Sequence, residues 1–342
     1  MPETVSGGTE HRSGGVRTDL DLLAIGEILI DFISTERADS LLEAAAFRRL
    51  QGGSPANLVV NVSRLGKRAA LLAKMGAGAF GQFLKAEMQR SGVITDYLLL
   101  DPGVQTSLVF VSQTSGTPDF EPYRSADYQL TPENVPAEAV HRARLLHTTT
   151  WPLSRQPSRS AVLKAFQLAR QLGKIVSIDP NYSPKVWPDH QDALRTLEEV
   201  YQYVTLTKAS LDDAGRLFGP GGTPEDYIRR FHELGPETVV FTLGKQGSLL
   251  SHRGQLLGHL PARPVQVVDA TGAGDSFWAG FLTALLDREP LERCLRFARE
   301  VVELKLQTIG TLPANLDRRT LYARLDGTQE ASDSEIPYAT LS

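Results

Sequence analysis

The sequence predicts an α/β fold built on one mostly parallel sheet, and three observations predict it. Apolar runs of strand length alternate with amphipathic helical stretches along most of the chain. The runs are near-continuous in Val, Ile and Leu, the pattern of strands covered on both faces. No repeat of fixed period is present and no linker splits the core, so one large domain is the economical reading.

Taken in order, LDLLAIGEILIDFI reads as a strand and SPANLVVNVSRLG as a short helix. RAALLAKM is a strand, and FGQFLKAEMQRSG a helix ended by its glycine. ARLLHTTT is a strand, SRSAVLKAFQLARQLG a helix and KIVSID a strand. YQYVTLT reads as another strand, followed by helices LDDAGRLFG and EDYIRRFHELG and strand TVVFTL. Two final helices begin near Gly274 and Pro290. The segment at 106–124 breaks the rhythm with two extended pieces joined by a Gly/Pro turn, a flap added to the main sheet. Residues 1–19 and 327–342 are polar and Gly/Ser/Thr-rich, and read as disordered tails around a body spanning 20–326.

Composition excludes several classes. The 342 residues carry 36 Lys+Arg against 40 Asp+Glu, a formal net charge of −4, so the basic surplus of a non-specific nucleic-acid binder is missing. No apolar run approaches a membrane span, and the N-terminal residues lack the apolar stretch of a signal peptide. The single cysteine, Cys294, cannot form an intramolecular disulfide and reads as a small buried hydrophobe. A soluble cytoplasmic protein is expected.

The sharpest motif is VVDATGAGDSFWAGFLTALL at 267–286. A strand-like segment ends near Asp269, then Gly272 and Gly274 precede a helix with Asp275 in its first turn. Backbone N–H groups converging at a helix start favour an anion, and a carboxylate beside them can take a proton from an attacking hydroxyl. Helix capping by Asp275 explains the same spacing, and spacing alone leaves both readings standing. In QGGSPANLVVNVSRLG, at 51–66, two glycines permit close backbone approach to a ligand, and Asn57 offers an amide in the first turn. A plain helix start, with Ser54 as N-cap and Pro55 at the first position, also fits.

GAGAFG at 76–81 matches G-x-G-x-x-G, with Asp101 where a ribose-binding acid would stand. A full strand–helix unit precedes it, against the usual placement of a dinucleotide fingerprint, which makes an NAD-dependent oxidoreductase the lesser alternative. No P-loop is present, and the seven His show no metal-ligand spacing.

Together these segments resemble the phosphofructokinase-B, or ribokinase-like, family of carbohydrate kinases from about Leu22 to Pro313. GGSPANLVVNVSRLG is similar to its first signature and DATGAGDSFWAGF to its second. The resemblance implies a three-layer α/β/α fold with a small β-sheet lid, formed by strands at about 32–50 and 106–124, which often mediates homodimerisation. GAGAFG then becomes a turn before a helix. Asp275 corresponds to the catalytic base, and Gly272, Ala273 and Gly274 to the anion hole. Asp31, Gly52, Gly53, Asn57, Arg124 and Asn181 correspond to substrate contacts. Lys208, Thr242, Gly244 and Gly247 lie near ATP by the same resemblance, with Asp213 organising Mg²⁺ through water. Asp269, Thr271 and the backbone near Gly310 match a potassium site of members that need one. Ser210-x-x-Asp213 and Ser183 depart from the usual Asn-x-x-Glu element and arginine, with Lys185 a substitute for the latter.

The implied activity is ATP- and Mg²⁺-dependent phosphorylation of a sugar, fructose first. 2-Keto-3-deoxygluconate, 5-dehydro-2-deoxygluconate and ribose are the alternative substrates, and a catalytically silent sugar-binding member is the alternative of another class.

Overall fold

The computed structural model describes residues 18–113, 119–314 and 316–327. The expected tails and the Gly/Pro turn at 114–118 fall outside these residues, apart from Thr18, Asp19 and Gly327. Asp19 is ion-paired to Arg142 at 2.8 Å.

Thirteen strands and ten α-helices follow one another among the described residues. The first half contains β1 (Leu20–Ile25), β2 (Leu29–Arg37), β3 (Phe47–Gly52), α1 (Ser54–Arg64), β4 (Ala69–Gly76), α2 (Ala79–Arg90), β5 (Leu98–Asp101), β6 (Leu108–Gln113), β7 (Phe120–Tyr123), α3 (Ala137–Arg142) and β8 (Ala143–Thr149). Then come α4 (Ser158–Gln171), β9 (Ile175–Asp179), α5 (His190–Tyr201), β10 (Leu206–Ser210), α6 (Leu211–Phe218), α7 (Pro224–Leu234), β11 (Thr238–Thr242), β12 (Ser248–His252), β13 (Gln255–Leu260), α8 (Ala273–Leu286), α9 (Leu291–Leu306) and α10 (Arg318–Gly327).

The large sheet has the order β13-β12-β11-β10-β9-β8-β1-β4-β5. Its strands are parallel from β11 to β5, and β12 and β13 join antiparallel at one edge. Period-2 alternation feeds two separate cores. Leu23 and Ile25 of β1 face a core shared with α3 to α7, while Leu22 and Ala24 face one shared with α1, α2, α8, α9 and α10. That is the three-layer α/β/α arrangement. From β1 the chain first builds β4 and β5 on one side, then returns through β8 on the other. The strand ends at this reversal form the crevice where open α/β sheets bind ligands.

The second sheet, ordered β3-β2-β6-β7, is the lid. The apparent single strand LDLLAIGEILIDFI is two strands in different sheets, interrupted at Gly26–Ile28. A side chain on Gly26 would come within 2.7 Å of Pro55, so the break is where the chain squeezes past α1.

Two other expectations need correction. Tyr201 of YQYVTLT ends helix α5, because its ring packs against Phe231 in the core (centroids 6.1 Å apart), and the strand begins at Leu206. The stretch before Asp269 is not a strand: Val267 and Val268 are exposed, and the N–H of Val268 bonds the Leu306 carbonyl at 2.8 Å. The β12–β13 hairpin and α10 are additional elements. GAGAFG is the turn before α2, as the resemblance implies, and it is tightly packed: a side chain on Gly81 would overlap the Gly76 carbonyl, and Asp101 pairs with Lys74 at 3.3 Å.

Candidate active site

The site is assembled at the C-terminal ends of the central strands, where α1, α8 and the lid meet. Gly272 sits in the left-handed region (φ 71°) and turns the chain into α8, which places Asp275 in the first helical turn. The Asp275 carboxylate is half-buried and spans two donors from α1. Ser54 donates its hydroxyl to Oδ1 at 2.6 Å, and Asn57 donates its amide to Oδ2 at 3.0 Å. Asn57 is itself oriented by Gln51, which donates to its Oδ1 at 3.0 Å. Burial raises the pKa of Asp275 against the lowering effects of these hydrogen bonds and of Lys208. The side chain makes no capping bond to its own helix; it is held across to α1.

Gly53, rather than Ser54, is the N-cap of α1. Its φ of 98° and the 2.6 Å approach of the Glu27 carbonyl to a would-be Cβ both demand glycine. This frees the Ser54 hydroxyl for Asp275, and the Ser54 N–H donates to the Glu27 carboxyl at 3.1 Å. Glu27, buried between α1 and β8, has its pKa raised to about 8 chiefly by burial.

Asp31, on β2, lies against Gly52 of β3, its register neighbour being Leu50. A side chain on Gly52 would overlap the Asp31 carboxylate, so that glycine makes room for the acid. Burial, then the charge of Asp275, raises the pKa of Asp31 to about 7. Two carboxylates thus face one space, a pairing that suits a polyhydroxyl ligand able to donate to both.

On the other side of the Gly272–Gly274 turn stands Lys208 of β10, whose Nζ lies 3.0 Å from where a Gly274 side chain would be. It donates to Asp179, at the end of β9, at 2.6 Å. Burial lowers the pKa of this ammonium, yet Asp179 and Asp213 more than offset that and leave it raised. The second oxygen of Asp179, Oδ1, is buried with no partner among the described residues. Backbone cradle, cation and orphaned carboxylate oxygen together fit a nucleotide phosphoryl group with a divalent metal. Asp213 fits metal contact less well: its Oδ2 closes a capping box with Ser210, accepting from its hydroxyl at 2.5 Å. This accounts for the Ser-x-x-Asp spelling.

Thr242 pairs with Ser210 at the end of β10, the strand of Lys208. Thr242 ends β11 with its hydroxyl 3.4 Å from the Ala209 carbonyl, Gly244 opens a short turn at φ 59°, and Gly247 packs so closely on Leu260 that no side chain fits. Asn181 is exposed in the loop after β9 at φ 41°. Arg124 is buried and clasps the end of the lid to the body. It donates to Asp127 and Ser154 at 2.7 Å and to the carbonyls of Val186 and Trp151 at 3.2 and 3.3 Å. Lys185 pairs with Asp119 beside β7 at 2.6 Å.

Potassium does not fit the residues expected to hold it. The ammonium of Lys305, from α9, donates to the Asp269 carbonyl at 2.9 Å, to Asp269 Oδ2 at 3.2 Å and to the Thr308 carbonyl at 3.2 Å. Thr271 is exposed, and its N–H donates to Asp269 Oδ1 at 2.9 Å. Sequence reasoning passed over Ser54, Asp179 and Lys305 as actors. Asp179 was legible as a strand-end acid, whereas the other two are defined by contacts across more than 30 residues.

Residues 19–318 match the family described as "pfkB family carbohydrate kinase", and the chain belongs to that family. It is therefore a carbohydrate kinase. Among curated relatives, an ATP-dependent 6-phosphofructokinase of Thermoanaerobacterium thermosaccharolyticum is 33% identical, covering 90% of this chain and 94% of its own. Fructokinase-1 of Oryza sativa subsp. japonica is 33% identical over 86% of this chain and 94% of its own. Among solved structures, Halothermothrix orenii fructokinase superposes with a TM-score of 0.73 at 40% identity, over 84% of this chain and 98% of that one. A fructokinase double mutant from Vibrio cholerae O395, solved with fructose, ADP and potassium bound, gives 0.78 at 25% identity over 90% and 98%.

Proposed function

We propose that the protein transfers the γ-phosphoryl group of ATP to the terminal hydroxyl of fructose, forming fructose 6-phosphate and ADP. The observation that carries the reading is the Asp275 carboxylate, held by Ser54 and Asn57 beside Asp31 and directly after the Gly272–Gly274 turn. Asp31 and Asn57 orient the sugar hydroxyls. Asp275 takes the proton as the hydroxyl oxygen forms its bond to phosphorus, and the breaking P–O bond leaves its electron pair on ADP. The N–H groups of Gly272, Ala273 and Gly274 and the Lys208 ammonium oppose the charge that builds on the phosphoryl oxygens. Mg²⁺, when bound, would supply further neutralisation of the phosphates, and the unpartnered Oδ1 of Asp179 would be able to hold its waters. Most of the rate then comes from positioning and charge, with one proton acceptor.

A coupled ADP-release assay over fructose, fructose 6-phosphate, 2-keto-3-deoxygluconate, 5-dehydro-2-deoxygluconate and ribose tests this reading. Fructose is expected to give the highest kcat/KM; a higher value for any other sugar reassigns the substrate. The phosphofructokinase relative makes fructose 6-phosphate the acceptor to beat. We further infer that the kinase acts in the cytoplasm as a homodimer joined through the lid, where Leu42 and Tyr123 are exposed. Light scattering on Leu42→Glu checks that arrangement, which predicts a monomer.

A further inference from the structure

Helix α9 ends by holding the loop that leads to the anion cradle. The N–H groups of Val268 and Asp269 both donate to the Leu306 carbonyl, at 2.8 and 3.3 Å. One residue earlier, Lys305 turns its side chain back under the same loop, and only 2% of the residue is exposed. An ammonium has three protons, and all three are placed: on the Asp269 carbonyl, on Asp269 Oδ2 and on the Thr308 carbonyl. Asp269 is held in turn, its Oδ1 accepting from the Thr271 N–H and its Oδ2 also from the Gly310 N–H at 3.1 Å. The last stretch of this network is tied to α1, since Asn61 Oδ1 accepts from the Leu312 N–H at 3.1 Å.

A single positive charge enclosed by backbone carbonyls and one carboxylate oxygen is what a bound monovalent cation would be. A K⁺ placed among Asp269 O, Asp269 Oδ2 and Thr308 O would overlap Nζ, and like charges at that distance in a buried site repel strongly. We infer that the Lys305 ammonium is a built-in replacement for a monovalent cation, covalently supplied by α9, that fixes the 269–274 loop and makes turnover independent of K⁺. Lys305 touches no substrate; it is a positioning residue that acts through Asp269. The Vibrio cholerae relative, solved with potassium, provides the contrast.

The inference rests on the kinase reading for its activity readout, so the experiment includes one readout that does not. Wild-type protein is measured in the chlorides of potassium, sodium and tetramethylammonium at equal ionic strength, for both fructose phosphorylation and Tm. The expected result is agreement within twofold in kcat and within about a degree in Tm. Lys305→Ala is then expected to lose at least tenfold in kcat in tetramethylammonium, and to recover saturably with K⁺ or NH₄⁺, with a Tm that rises over the same concentrations. Lys305→Met, which removes the charge but fills the space, should lose activity without recovery. Saturable K⁺ activation of the wild type overturns the inference, and that arm needs no variant to fold. So does a Lys305→Ala protein that is fully active without added cation, or one whose lost activity neither K⁺ nor NH₄⁺ restores. If fructose is not phosphorylated at all, the substrate reading fails, while the Tm comparison still decides the role of Lys305.

Discussion

Asp269 and Asp275 stand at the two ends of one loop, and their surroundings set them to opposite tasks. Asp275 is held by neutral donors, Ser54 and Asn57, with Asp31 as a like-charged neighbour, and burial raises its pKa. Burial acts on Asp269 in the same direction. There it is overcome by the N–H groups of Thr271 and Gly310 and by the Lys305 ammonium, which leave that carboxyl below its ordinary range. A carboxylate fully matched by donors and a cation is an anchor. One raised by burial despite its donors and the charge of Lys208 suits the proton acceptor we propose.

The largest effect that can break this comparison comes from Asp275→Asn. Turnover is expected to fall by about 10³-fold or more, the upper range for loss of a general base. Nucleotide affinity by calorimetry should change little. Residual turnover within tenfold of wild type would mean that Asp275 is not the proton acceptor.

The contrast explains how far the sequence could be read. Glycines followed by an acid made the α8 turn legible, and the two signatures made the starts of α1 and α8 legible as family features. What could not be read is which donor reaches which carboxylate. Ser54 looked like a helix cap because caps depend on local spacing, and its partner lies 221 positions away. Lys305 looked like one more polar residue in an amphipathic helix, because nothing local shows where a lysine side chain folds back. Tyr201 failed for the opposite reason: an aromatic-rich stretch carries strand propensity, and tertiary packing of the helix prevailed.

The next largest effect is on stability. Lys208→Met leaves Asp179 buried without its cation, which is expected to cost about 3 kcal/mol or more, read from urea denaturation. An unchanged midpoint would show the Lys208–Asp179 pair to be idle.

The pH dependence sharpens the comparison further. In the mechanism we propose, Asp31, with its pKa raised to about 7, and Asp275, also raised, must both be ionised to accept from the sugar. The value of kcat/KM should therefore fall as pH drops below about 7. Ser54→Ala removes a hydrogen bond that favours the ionised form of Asp275, so it should move that limb to higher pH. A profile flat from pH 5 to 8 would contradict both assignments.

The smallest effect concerns folding. Between its unfolded pKa near 3.8 and its folded value near 7, Asp31 binds more protons folded than unfolded, so it contributes less stability as pH rises through that window. Asp31→Asn should then raise Tm at pH 8 by a few degrees, with no gain at pH 4, while weakening sugar binding. Differential scanning calorimetry at the two pH values reads the difference.

The lid carries a consequence for how the molecule comes together. Its two halves leave the main sheet at different points, and they meet where β2 runs parallel to β6, Ile30 beside Leu108. Parallel pairing at that separation rewards the chain only after a long loop has closed, so it belongs to the slow, late part of assembly. Asp31 sits in that seam. Asp275 meets Ser54 across a loop longer still, 221 positions, so the space that Asp31 and Asp275 border closes only in the finished fold.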